Sequence, residues 1–413
     1  MSMNQTPAGE RIHIGFFGKR NAGKSSLVNA ITGQNLAVVS DTKGTTTDPV
    51  YKAMELLPLG PVVIIDTPGL DDEGELGALR VQKAKQVLRK TDIAIVVVDS
   101  IQGITNVEVE LIEELIQLQV PYLIVWNKCD LCADIKQAEL SMLRAGNENV
   151  QAETEKLNQI CVSAVDKTGI EELKNRIPKL IPQVKKKLPL VADLIKPMDM
   201  VILVVPIDEA APKGRLILPQ QQVIREVLEA GAVSVVVKDT EYEELLKRLP
   251  TKPRIVITDS QVFGKISSAT PQEIPLTSFS ILMARRKGFL RTATDAVLQL
   301  DDVKTGDCIL IAEGCTHHRQ CGDIGTVKLP ALIRKFTGAE PAFTFCSGTE
   351  FPEDLSAYKL ILHCGGCMLN DREMQYRMTC ATNQQVPFSN YGTAIAHMNG
   401  ILERSLHALE GTF

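Results

Sequence analysis

The run RIHIGFF, residues 11–17, has the pattern of a buried strand, and it leads directly into Gly18-Lys19-Arg20-Asn21-Ala22-Gly23-Lys24-Ser25. No other feature constrains the fold as tightly. The octet fits GxxxxGK[ST], a pattern that needs a strand before it and a helix after it. In that setting the glycines let backbone N–H groups turn inward on phosphates, and the helix N-terminus adds favourable potential for an anion. Lys24 is placed to reach the β and γ phosphates of a nucleotide, and Ser25 to ligate Mg²⁺. Gly18, Asn21, Ala22, Gly23 and Ser26 complete the candidate phosphate loop.

Three further motifs follow in order. Asp66-Thr67-Pro68-Gly69 ends the apolar run Val62–Ile65 as a DxxG. Asp66 is expected to hold Mg²⁺ through water, and the Gly69 N–H to sense the γ phosphate. Asn127-Lys128-Cys129-Asp130 ends the run Tyr122–Trp126 as an NKxD. A carboxylate at Asp130 can accept from both N1–H and the 2-amino group of guanine; adenine offers neither donor. Ser163-Ala164 follows a fifth short strand and resembles the SA motif that meets guanine O6. Together these motifs resemble the translation-factor-related GTPases, and the resemblance implies GTP binding and hydrolysis. Lys24, Thr46, Asp66 and Gly69 are the catalytic candidates. Leu70 stands where Ras-like enzymes carry a water-orienting glutamine. Asn21, with Gly44-Thr45-Thr46-Thr47-Asp48 as a first switch, resembles the potassium-activated GTPases related to MnmE, which implies slow, K⁺-stimulated turnover. There Thr46 aligns with the Mg²⁺-ligating threonine, Thr45 and Thr47 being the alternatives. The plain reading of Asn21 is a residue that tolerates a turn.

The chain has 413 residues, too many for one core. Apolar strand-like runs alternate with helical patterns at 75–90, 107–119 and 168–182, which predicts a mostly parallel α/β sheet for residues 1–185. A smaller βαβαβ unit is expected over 186–275, with strands at 200–205, 233–237 and 254–257. It lacks a phosphate-loop signature, and its exposed sheet edges suit homodimerisation. Residues 276–413 form a third α/β segment. No internal repeat is visible along the chain. The short basic clusters Lys185-Lys186-Lys187 and Arg285-Arg286-Lys287 read as solvated or linker charges. The net charge of −5 argues against a nucleic-acid partner. The N-terminus has no apolar signal core and no run is long enough to cross a membrane, so a cytoplasmic protein is expected.

The third segment carries Cys315-Thr316-His317-His318 and His363-Cys364-Gly365-Gly366-Cys367, each after an apolar run. Both clusters are thus expected in loops at strand ends. Three cysteines with one or two histidines suit tetrahedral zinc or an iron–sulfur cluster, and spacing alone favours zinc. Cys308, Cys321, Cys346 and Cys380 lack a partner at chelate spacing and read as buried thiols. Cys129 and Cys132 form a CxxC within the base-binding loop and read as incidental.

A GTPase followed by a small α/β domain and CxH…HCxxC resembles the HydF family of FeFe-hydrogenase maturation GTPases over the whole chain. The resemblance implies GTPase, dimerisation and cluster-binding domains. It implies a 4Fe–4S cluster on Cys315, Cys364 and Cys367, with His317 a candidate for the labile fourth site. It also implies a scaffold that receives a di-iron precursor bearing CO and cyanide from the radical-SAM maturases HydE and HydG and delivers it to the apo-hydrogenase. The competing readings are an RNA-directed GTPase with a structural zinc site, and a GTPase regulator whose zinc is purely structural.

Overall fold

A computed structural model describes residues 6–33, 48–71, 75–131, 159–180, 188–207, 216–315, 323–348, 350–409 and 411. They divide into two compact units, residues 1–185 and 186–413. Among the described residues no helix is long and apolar enough to cross a membrane.

The first unit holds a six-stranded sheet. Its strands are β1 (Ile12–Phe17), β2 (Val50–Leu56), β3 (Gly60–Asp66), β4 (Ile93–Asp99), β5 (Tyr122–Asn127) and β6 (Gln159–Cys161), in the spatial order β2-β3-β1-β4-β5-β6. All neighbours pair in parallel except β2, which runs antiparallel to β3. The buried strands β4 and β5 are near-continuous apolar runs because helices cover both faces. From β1 the chain leads to β2 and β3 on one side and to β4 on the other, so the end of β1 is a topological switch point, the place where open α/β sheets bind ligands.

The second unit holds two four-stranded parallel sheets. One comprises β7 (Met200–Val204), β8 (Val233–Val237), β9 (Ile255–Thr258) and β10 (Leu276–Ser278), the other β11 (Cys308–Glu313), β12 (Ala342–Ser347), β13 (Leu360–His363) and β14 (Phe388–Asn390). The fourth strand of the first sheet begins just past the boundary expected at residue 275. It pairs Leu276 with Val256, so the sheet extends beyond the three-stranded unit predicted from the sequence. Both sheets and their helices pack into one continuous apolar core.

The two sheets are copies of one design, which overturns the expectation of no internal repeat. In each, the first strand lies between the second and the third, with the fourth outside the third. The registers coincide. Met200 opposes Val233 as Cys308 opposes Ala342; Val201 opposes Ile255 as Ile309 opposes Leu360; Val256 opposes Leu276 as Ile361 opposes Phe388. The turn before each first strand is tied alike: Asp199 Oδ2 accepts from the Lys196 N–H, and Asp307 Oδ2 from the Lys304 N–H, both at 2.8 Å. Each fourth strand ends in a residue whose side chain caps the next helix, Ser278 for Phe279–Arg286 and Asn390 for Tyr391–Met398.

The cluster Arg285-Arg286-Lys287 is not solvated. Arg285 is buried and pairs with Asp193 while donating to the carbonyls of Pro189 and Leu190. Lys287 is buried and donates to Leu369 O and Asp371 Oδ1, each at 2.8 Å. Buried cations need such partners, since an unpaired charge is costly to desolvate. Lys185, Lys186 and Lys187 lie outside the described residues.

Candidate nucleotide and cysteine sites

The loop after β1 carries the first candidate site. Lys24 opens the helix Lys24–Thr32, and its Nζ donates to the carbonyls of Gly18 at 2.8 Å and Lys19 at 2.7 Å. The ammonium thus sits within the concavity of its own loop. Gly23 is left-handed, with φ +92°, and a Cβ there would stand 2.1 Å from Asn127 Nδ2. That contact explains the glycine: Asn127 donates to Ala22 O at 2.9 Å and accepts from the Ala164 N–H at 3.2 Å. One buried asparagine therefore joins the phosphate loop, the NKxD and Ser163-Ala164. Lys128, next in the NKxD, pairs with Asp99 at the end of β4 at 2.6 Å. Burial raises the Asp99 carboxyl, but hydrogen bonds from Lys128 and the Ile101 N–H outweigh it and hold the group below its usual range. Asp130 follows on a short 3-10 turn.

On the opposite side, the Ser25 hydroxyl donates to Asp66 Oδ2 at 2.6 Å. Asp66 Oδ1 is buried and, among the described residues, has no hydrogen-bond partner. Burial raises the Asp66 carboxyl, opposed by the Ser25 hydrogen bond and the charges of Lys24 and Lys52. An orphaned carboxylate oxygen beside a serine hydroxyl is the donor set of a hard divalent cation, so these residues fit Mg²⁺. Gly69 packs against Arg20, and the Arg20 N–H donates to Asp71 Oδ1 at 2.6 Å, a tie between the phosphate loop and the DxxG segment that no motif announces. Asn21 is exposed at φ +59°. Ser26 lies on the first helical turn. Thr46, with Thr45 and Thr47, lies outside the described residues.

The second candidate site is built at the C-terminal ends of β11 and β13. These strands are neighbours, with Ala312 opposite His363. Chain connections leave them in opposite directions, to β12 from one and to β14 from the other, so this is again a switch point. Cys315 follows β11, and Cys364 and Cys367 follow β13. The N–H groups of Gly314 and Gly366 donate to Cys364 Sγ at 3.1 and 3.4 Å. Burial raises the Cys364 thiol, and raises Cys367 to about 12, with a charge on Cys364 adding to it and Lys287 opposing. Soft sulfur donors on two adjoining strand ends, one already holding two backbone N–H groups, fit a thiolate-bound metal or cluster. Among the described residues no group of three or more His, Cys, Asp or Glu side chains is gathered to hold a metal ion. His317 and His318 lie outside them.

His363 is not a free ligand. It is fully buried, its Nδ1–H donates to Cys364 O at 2.7 Å, and its Nε2 accepts from Arg377 at 3.1 Å. Burial first, then the Arg377 charge, lowers the imidazole to about 3, so it is neutral. Arg377 in turn donates to Glu373 Oε1 at 2.9 Å and to Gly348 O. This buried chain fixes the backbone at the first cysteine of HCGGC. Cys346 is buried on the neighbouring β12, opposite Ala312, and its thiol is raised to about 11 by burial.

The first fold and site define a P-loop GTPase domain, here followed by two copies of a parallel α/β module, the second bearing paired cysteines at its switch point. A family model of a 50S ribosome-binding GTPase matches residues 13–128. The hydrogen maturase F dimerization domain matches residues 190–288 and the hydrogen maturase F tetramerization domain residues 291–408. The chain belongs to the hydrogen maturase F family. It is also similar to the tRNA modification GTPase MnmE of Thermoanaerobacter sp. (strain X514), 34% identical over 173 residues, 42% of this chain and 35% of that one. With GTPase Der of Maridesulfovibrio salexigens it shares 34% identity over 164 residues, 38% of this chain and 35% of the relative. The chain thus spans about a third of the length of these curated relatives, 35% in each case. Among solved structures it resembles a variant of Aquifex aeolicus Era bound to GDP·AlF₄⁻, at 21% identity and a TM-score of 0.37, over 55% of this chain and 92% of that one.

Proposed function

We propose that this protein is a GTP-hydrolysing scaffold that binds a 4Fe–4S cluster through Cys315, Cys364 and Cys367 and carries the di-iron precursor of the FeFe-hydrogenase active site. In this reading HydE and HydG supply the precursor, with its CO and cyanide ligands, and the apo-hydrogenase receives it. The chain acts as an oligomer through its dimerization and tetramerization domains. The observation that carries the reading is the meeting of the two cysteine loops at the β11–β13 switch point, with two glycine N–H groups already aimed at Cys364 Sγ.

Bound Mg²⁺ would neutralise charge between the β and γ phosphates. Ser25 and Thr46, the latter from the first switch, would ligate it, and Asp66 would hold it through water. Lys24 leaves the carbonyls of Gly18 and Lys19 to reach the phosphates, and the Gly69 N–H reports on the γ position. Asp130 reads guanine, and Asn127, Lys128, Ser163 and Ala164 hold the loop that presents it. Leu70 cannot orient water, so charge neutralisation falls to a monovalent cation at Asn21, and turnover is slow and K⁺-stimulated. Cys315, Cys364 and Cys367 would supply three thiolates to the cluster, with His317 a candidate for the remaining, exchangeable position. GTP hydrolysis shifts populations of conformers that differ in partner affinity.

The test is anaerobic reconstitution followed by iron and sulfide analysis and electron paramagnetic resonance of the reduced protein. Near-stoichiometric 4Fe–4S is expected, lost in Cys364→Ala and Cys367→Ala while GTP hydrolysis persists. Zinc without sulfide in natively purified protein would sink the cluster reading and the carrier role together.

A further inference from the structure

The repeat provides an internal control for the cysteine site. Its two copies can be compared residue by residue through their shared register. Glu313 at the end of β11 corresponds to Val205, and His363 to Thr258. Tyr391, first in the helix after β14, corresponds to Phe279, first in the helix after β10. Both aromatic residues are buried, 4% exposed for Tyr391 and 3% for Phe279. The fold therefore accommodates an aromatic ring at this position without a hydroxyl. The hydroxyl occurs only in the copy that carries the cysteines.

That hydroxyl is buried and, among the described residues, has no hydrogen-bond partner. A buried hydroxyl left unpaired costs stability, and native proteins seldom keep one without a use. Its position points to the cysteine loop. Asn390 lies opposite His363, so Tyr391 and Cys364 are the next residues on two neighbouring strand ends. A Cβ built at Gly325 would stand 2.8 Å from Tyr391 Oη and 2.3 Å from Glu313 Oε1. Both polar groups of the second copy thus converge where the first copy has Phe279 and Val205. Burial, then the charges of Cys364 and Glu313, hold the phenol well above its usual range, so it remains a donor.

We propose that the Tyr391 hydroxyl donates a hydrogen bond to an anionic acceptor of the group held by Cys364. The acceptor is either a cluster sulfur or an exogenous ligand on the open iron, chemistries that present the same demand. The inference rests on the cluster reading of Cys315, Cys364 and Cys367.

The experiment compares wild type, Tyr391→Phe and Phe279→Tyr after anaerobic reconstitution, with inorganic cyanide as the probe ligand. Phe at 391 copies the first module, so the variant should fold. Because the hydroxyl has no partner among the described residues, the unreconstituted variant should unfold at the same denaturant concentration as wild type or a higher one. With iron and sulfide retained, an acceptor on sulfur predicts about tenfold weaker stabilisation of the reduced cluster, a midpoint potential lower by about 59 mV. An acceptor on the exogenous ligand instead predicts an unchanged potential and about tenfold weaker cyanide binding. Failure of a well-folded Tyr391→Phe to hold iron would also place the hydroxyl at the bound group. Phe279→Tyr should change none of these readouts. The proposal is overturned if a fully loaded Tyr391→Phe matches wild type in potential and cyanide affinity, if the unreconstituted variant is destabilised, or if Phe279→Tyr produces the same changes. Wild-type protein that takes up no iron and sulfide would remove both this proposal and the cluster reading, a result distinct from all of these.

Discussion

Asn127 donates from Nδ2 to the carbonyl of Ala22 at 2.9 Å, so the first residue of the NKxD motif is tied to the GxxxxGK[ST] loop. Replacing it by Ala leaves a buried carbonyl and the Ala164 N–H without a partner, at a cost of about 1–3 kcal/mol. Asn127→Ala should lower the denaturant midpoint of the first unit and weaken GTP and GDP alike. An unaltered affinity for both nucleotides would show that the tie is incidental to binding.

Asp130, in the proposed role of base reader, should behave differently. Asp130→Asn exchanges an acceptor pair for a donor and an acceptor, which suits xanthine. GTP should weaken and xanthosine triphosphate should gain, by roughly 1–3 kcal/mol if the contact is worth what a bidentate base contact is elsewhere. Competition binding with the two nucleotides decides the matter, and retained guanine preference would refute the role.

Hydrolysis should run faster in K⁺ than in Na⁺ at equal ionic strength, and Asn21→Ala should remove the difference. Equal wild-type rates in the two salts would dispose of the cation site while leaving the GTPase domain as it is.

The buried pair Arg377–Glu373 supports His363 beneath the cysteine loop. Arg377→Met strands the Glu373 carboxylate and frees His363 Nε2, and should destabilise the second unit by about 3–5 kcal/mol. Adding Glu373→Leu should recover much of the loss, since an apolar pair can replace a buried ionic one. Urea unfolding of the single and double variants tests both statements. A double variant no better than the single would mean that the hydrogen bonds to Gly348 and His363 matter more than the charge.

The candidate nucleotide site was legible in the sequence because each of its motifs is local. GxxxxGK[ST], DxxG and NKxD each lie within a few residues at a strand end, and apolar runs such as Ile93–Val98 mark the strands that carry them. What the sequence hid was long-range. β2 carries Lys52 and Glu55 among its apolar residues and reads weakly as a strand, yet it pairs along its whole length with β3. β10 is three residues long. The internal repeat is written in register and capping, through pairs such as Asp199 with Asp307 and Ser278 with Asn390, while most side chains at matched positions differ. Arg285 and Lys287 resemble a solvated run until Asp193 and Asp371 are brought beside them from distant parts of the chain. Tyr391 has no motif at all; only its match with Phe279 makes its hydroxyl conspicuous.

The single apolar core beneath the two modules has a thermodynamic consequence. The Arg404 guanidinium, near the chain's C-terminal end, donates to the carbonyls of Ser267, Thr270 and Pro271, so the later module is clasped to the earlier one as well as packed on it. Melting either module would expose the other's apolar face, and the pair should unfold as one cooperative transition. Mass action then links distant events: a ligand held by the cysteine loop at a hundred times its dissociation constant protects the earlier module by about 2.7 kcal/mol without touching it. Occupancy at one end of this unit would be readable as melting temperature at the other.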